Sequence, residues 1–114
     1  MSNDKAIKAI ELNIQQAKRL IEFGTALDKL YSNRDFQLVI TKGYFEQESI
    51  RLVQLKSDPN MQSKDSQESI IKQIDAIGNL LQYFKLVSHR AALAEKAIED
   101  DEETHAELVA EELA

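Results

Sequence analysis

Apolar side chains in the first quarter of the chain recur at intervals of three and four. Ile7, Ile10, Ile14, Ala17, Ile21 and Gly24 step by 3-4-3-4-3, and Leu20, Leu27 and Leu30 widen the stripe. That spacing lays them along one face of a helix. Lys8, Glu11, Gln15, Lys18, Glu22 and Lys29 fall largely on the other faces. The pattern predicts a helix over 4–31. Gly24 interrupts the stripe at a helix-weakening cost of about 1 kcal/mol relative to Ala. A close helix crossing would rationalise it, as would simple tolerance.

"YSNRDF" (31–36) is the first break, because Ser32, Asn33 and Asp35 can bond nearby backbone or cap a following helix. A second helix is predicted over 34–55 from Phe36, Ile40, Gly43 or Tyr44, and Ile50 with Val53, a less regular spacing than the first. "FQLVIT" is rich in β-branched residues and reads alternatively as a strand. No second strand-like segment offers it a partner, so helix is preferred. "KSDPNMQSKDSQES" (56–69) is the strongest punctuation, since Pro59 disfavours helical geometry at Asp58. Asp65 and Glu68 form a D-x-x-E start signal for a third helix. Capping explains the loop's composition better than a binding site does.

The third helix is predicted over 66–98 along Ile70, Ile74, Ile77, Leu81, Phe84, Ser88, Ala91, Glu95 and Ile98, its apolar positions shrinking after Phe84 to Ala91 and Ala94. Nothing breaks it before the end of the chain. Carried to about residue 110 it would measure about 65 Å, against about 40 and 33 Å for the first two. Its end would then overhang its companions. Ile98, Leu108, Val109 and Leu113 leave only a weak apolar stripe there, and successive acids repel one another along a helix. Residues 99–114 therefore read as an acidic helix extension ordered by a neighbour, or as a frayed tail, appended to a body over 1–98.

Composition agrees with helices. The 114 residues hold 3 Gly, 1 Pro and no Cys, with 43% hydrophobic and 30% charged. Disulfides, thiolate metal sites and cysteine nucleophiles are excluded. Met1 opens onto the polar "SNDK" with no apolar secretory segment behind it. No apolar run approaches the roughly 18 residues of a membrane span, so a soluble intracellular protein is expected. The net charge of -6 is unevenly spread: beyond Lys96 there are eight acids and no Lys or Arg. Those acids are Glu99, Asp100, Asp101, Glu102, Glu103, Glu107, Glu111 and Glu112.

Candidate chemistry is sparse. Glu102-x-x-His105 matches half of a carboxylate–imidazole di-iron motif, but Leu86 stands three residues before the other histidine, His89. A solvated surface accounts for it better. Glu46 and Glu48, two apart, do not face each other on a helix. Ser88 and His89 are adjacent without a patterned activating acid. No phosphate-binding loop, zinc pattern or nucleotide fingerprint is present. The bases are scattered, and net negative charge disfavours nucleic-acid binding. An acidic helix can instead imitate a phosphate backbone toward a basic protein.

The stretch Ala26–Gln62, with "NRDF", "GYFE", "RLV" and "KSDPNMQ", resembles small uncharacterised proteins encoded by tailed bacteriophages. The likeness extends through Ile70–Phe84, with "IDAIG", and into the acidic end. It implies a viral setting, either virion assembly or interference with a host protein, and it carries no catalytic motif.

These readings converge on an all-α chain: an elongated three-helix bundle with an antiparallel helical hairpin, coiled-coil-like packing and a longer C-terminal helix. The expected function is non-enzymatic, as an oligomeric phage assembly or accessory component acting through helix packing. It would work in the host cytoplasm or within the virion. The alternative is an acidic nucleic-acid mimic that inhibits a host nucleic-acid-binding protein. No catalytic, cofactor-binding or metal residues are expected, nor direct binding to nucleic acid or membrane. The eight acids from Glu99 to Glu112 are the candidate partner-binding residues, facing a protein partner of basic character, beside self-association.

Overall fold

The structure is a computed structural model and describes residues 3–114; Met1 and Ser2, where the polar start was read, lie outside the described residues. The described residues are helical throughout, apart from short connectors, and contain no strand. Helix α1 is Asp4–Ser32. Helix α2 runs over residues 34–56 without a break in right-handed geometry: an α turn Arg34–Phe36, a π-helical stretch Gln37–Glu48 and an α segment Ser49–Lys56. A 3-10 turn, Pro59–Met61, leads into helix α3, Lys64–Leu113. "FQLVIT" is helical, because an isolated strand would leave its backbone groups unpaired.

The caps lie in the punctuated stretches. The Asn33 side chain accepts from Phe36 N at 2.9 Å and starts α2. The Asp58 carboxylate accepts from Asn60 N at 2.8 Å, with Pro59 where its missing N–H costs nothing. Gln62 and Gln67 each donate to the Lys56 carbonyl, at 2.9 and 3.0 Å, and close the end of α2. The start of α3 departs from the sequence reading. Ser63 Oγ, not Asp65, accepts from the first turn, at Ser66 N (3.1 Å). The helix therefore begins at Lys64 instead of residue 66.

The described residues form two compact units. One comprises the residues up to Leu27 with Leu86–Ala114, the other Asp28–Lys85, so α1 and α3 each contribute to both.

In the first unit, Asn3 Nδ2 donates to Glu111 at 2.9 Å, and Asn3 N donates to Glu112 at 2.9 Å. His105 Nε2 lies 3.1 Å from Glu11 Oε1. A Cβ built on Gly24 would overlap the Ala91 methyl. These partners climb α1 while they descend α3. The predicted overhang does not form: the acidic end of α3 lies against the start of α1. The seam between them is thin, with Ala17, Gly24, Ala91 and Ala94 buried. Small residues let the two backbones approach, and Gly24 is the close crossing. In this unit Val87, Ala91 and Ala94 are the buried positions of α3, whereas Ser88 and Glu95, predicted on the stripe beside Ala91, are exposed.

In the second unit, Leu52, Ile70 and Ile77 form the buried core, joined by Tyr44, Phe45, Leu55, Met61 and Ile74. Phe84 sits beside it among Tyr31, Phe36 and Phe45, with ring centroids 5.8–6.0 Å apart and mostly edge-to-face. Ile50 and Val53, predicted on the inward stripe of α2, are 59% and 60% exposed, while Leu52 is 1% exposed. The π stretch is the reason. A π turn takes about 4.4 residues against about 3.6 in an α turn, a lag of about 18° per residue. Over the 12 residues Gln37–Glu48 the lag reaches about 220°, or two positions. The inward face moves from Ile50 and Val53 to Leu52 and Leu55.

Candidate functional site

The acidic end is ordered helix to Leu113, and its eight acids do not share one face. Glu99, Glu103 and Glu107 follow one another at four-residue steps, with Asp100 beside them, all exposed. They lie opposite the side that Ile98, His105 and Leu108 turn toward α1. This is the only stretch of the predicted partner-binding set that forms a continuous outward surface. Glu102 is exposed on a flank. Asp101 is half-buried and lines a groove against α1. Glu111 and Glu112 hold Asn3 and so anchor the pairing of the two helices.

Glu102 and His105 occupy successive turns of α3, but the imidazole meets Glu11 from α1. Among the described residues no three His, Asp or Glu side chains converge as metal ligands would. No described helix is long and apolar enough to cross a membrane.

The feature that sequence reasoning missed is the groove of the first unit, about 420 Å³ in volume. Ala17 and Ala94 form its floor, Leu20 and Leu93 its apolar walls, and Arg90 and Asp101 bring charges of opposite sign to it. Around it the apolar surface continues: Leu20 is 38% exposed, Phe23 58%, Leu86 39% and Leu93 56%. Each of these positions falls one step off the buried seam, so both helices carry a second apolar stripe along the seam's flank. The sequence did carry a signal for this. Leu20 widens the first stripe toward this flank, and Leu86 and Leu93 recur at a seven-residue interval.

A second concavity lies on the π-helical face, between Tyr31, Arg34, Gln37, Thr41, Lys42 and Glu46. Thr41 Oγ1 is buried there with no hydrogen-bond partner among the described residues. Elsewhere on α2, Arg51 pairs with Glu48 one turn earlier. The hydrogen bond from Arg51 holds the Glu48 carboxyl below the usual glutamate range, against a small opposing effect of burial.

The chain matches no family model, no curated protein and no solved structure. The functional assignment therefore rests on geometry and on the chemistry of the residues named.

Proposed function

We propose that this chain is a non-enzymatic interaction protein that works by helix packing, as an oligomeric assembly or accessory component of a phage particle. Its helices would pair as antiparallel neighbours of a bundle that a second chain completes. It would act in the host cytoplasm or be carried into the virion. The observation that carries this reading is the unfilled apolar flank of the first unit, Leu20, Phe23, Leu86 and Leu93. Contiguous exposed apolar surface marks a place where another protein packs.

Light scattering on the purified chain at low and high salt tests the proposal. A defined oligomer that persists in high salt is expected, because apolar faces hold it and salt does not screen them. A monomer under both conditions would defeat the reading.

One observation favours a second reading, the acidic mimic of nucleic acid. Glu99, Asp100, Glu103 and Glu107 lie together on the outward side of α3. On this reading the chain displaces DNA or RNA from a basic host protein, and the displacement fades steeply with added salt. Neutralising these four acids together should abolish the competition; competition that survives the change rules the mimic out.

A further inference from the structure

We infer that the occupant of the first unit's groove is a second copy of this chain. The two copies pair α3 against α3 about a two-fold axis, with Arg90 of each copy meeting Asp101 of the other. The inference rests on the oligomeric reading above and specifies its interface.

The argument begins with the free flank of α3. Leu86, Arg90, Leu93, Ala97, Asp100 and Thr104 step by 4-3-4-3-4, and all are exposed. This is a second seam with coiled-coil spacing, running beside the one already spent on α1. Asp101, next to Asp100, is the acid that lines the groove itself.

The order of residues along this seam is complementary to its own reverse. In a two-fold pairing, if one residue meets a second, the second meets the first. When two copies of α3 run in opposite directions about an axis near Glu95, Arg90 falls opposite the Asp100–Asp101 pair. Leu93 falls opposite Ala97, and Leu86 opposite Thr104. A base meets an acid and a large side chain meets a small one, each twice. Side-by-side pairing in the same direction would instead stack Arg90 on Arg90 and Asp101 on Asp101, which charge opposes. The same feature favours a second copy over a basic protein, whose cations would have to cover Arg90.

The α1 wall fits this occupant. Asn13 and Gln16 line the groove without charge, and Leu20 supplies apolar surface to a neighbouring helix. The partner copy would bring its own Leu93 into the space over Ala94 and Ala97. Two helices from each copy then make a four-helix packing in which both grooves are filled.

Sedimentation equilibrium of the full chain across a concentration series tests this, with circular dichroism as a check on folding. The native chain should approach about 26 kDa, twice the 13.0 kDa of one copy. Leu93→Glu should weaken the dimer by about 30-fold or more with helicity unchanged. Arg90→Asp and Asp101→Arg should each weaken it by about 10-fold or more, since each places like charges together twice. Mixing these two single variants should restore a mixed dimer that neither forms alone, and the double variant R90D/D101R should dimerise like the native chain. An oligomer whose mass ignores all of these changes would overturn the groove pairing and leave the oligomeric reading standing. A chain that stays at 13.0 kDa at every concentration would overturn both.

Discussion

The first unit pairs α1 with the second half of α3, the second packs α2 on the first half of α3, and each is filled internally by different means. The second is filled by large side chains: Leu52 and Ile70 are each 1% exposed, and a cluster of aromatic rings packs beside them. The first is held by Ala17, Gly24, Ala91 and Ala94, with carboxylate contacts at its end. Full burial of a Leu or Ile side chain is worth about 1.5–3 kcal/mol, and an Ala methyl about 0.8 kcal/mol. A seam of small residues therefore fixes a close crossing but supplies little hydrophobic stabilisation. It also leaves the larger residues on its flanks, where a second chain can use them. The packing of the two units thus differs by the size of the side chains that fill them.

The comparison breaks most readily at Leu52. Leu52→Ala should cost about 2–5 kcal/mol in urea unfolding, because the cavity forms in the filled core. A loss under 1 kcal/mol would mean that the second unit is no better packed than the first. Gly24→Ala should cost about 1–2 kcal/mol: overlap with the Ala91 methyl outweighs the gain of about 1 kcal/mol in helix propensity. The double change G24A/A91G moves the methyl to the other helix and should recover most of that loss. Failure to recover would show that the crossing is not as close as the structure has it. Gly78 provides the control within the second unit, since a Cβ there meets nothing within 4 Å. Gly78→Ala should raise stability by about 0.5–1 kcal/mol, visible as a higher midpoint in the same urea curves.

The smallest effect belongs to the Glu48–Arg51 pair on α2. The folded-state carboxyl of Glu48 titrates lower than in the unfolded chain. Its contribution is present above the unfolded value and disappears as pH falls through the folded one. In an NMR titration, Arg51→Gln should return the Glu48 midpoint toward the ordinary glutamate value. A midpoint that does not move would assign the shift to something other than the pair.

Apolar spacing by itself determined the helices, since a period of three and four residues is a local property of the chain. It set α1 and α3 within two residues of their observed starts, and Asn33 was among the caps it proposed. It left Gly24 open between a close crossing and simple tolerance, and the Ala91 methyl against it decided for the crossing. Tertiary structure decided the rest, because period alone does not say which neighbour a face will meet. Ile50 and Leu52 are equally apolar, and the π stretch before them, not their identity, turned Leu52 inward. Val87 lies in the seam where Ser88 was expected, and Ala94 is buried where Glu95 is not, because the partner helix α1 sits a fraction of a turn around from the predicted stripe. The acidic end looked unsupported in one dimension. Chain reversal brought Asn3 and Glu11 to it, which distributed its acids between an outward face, a groove and an anchor.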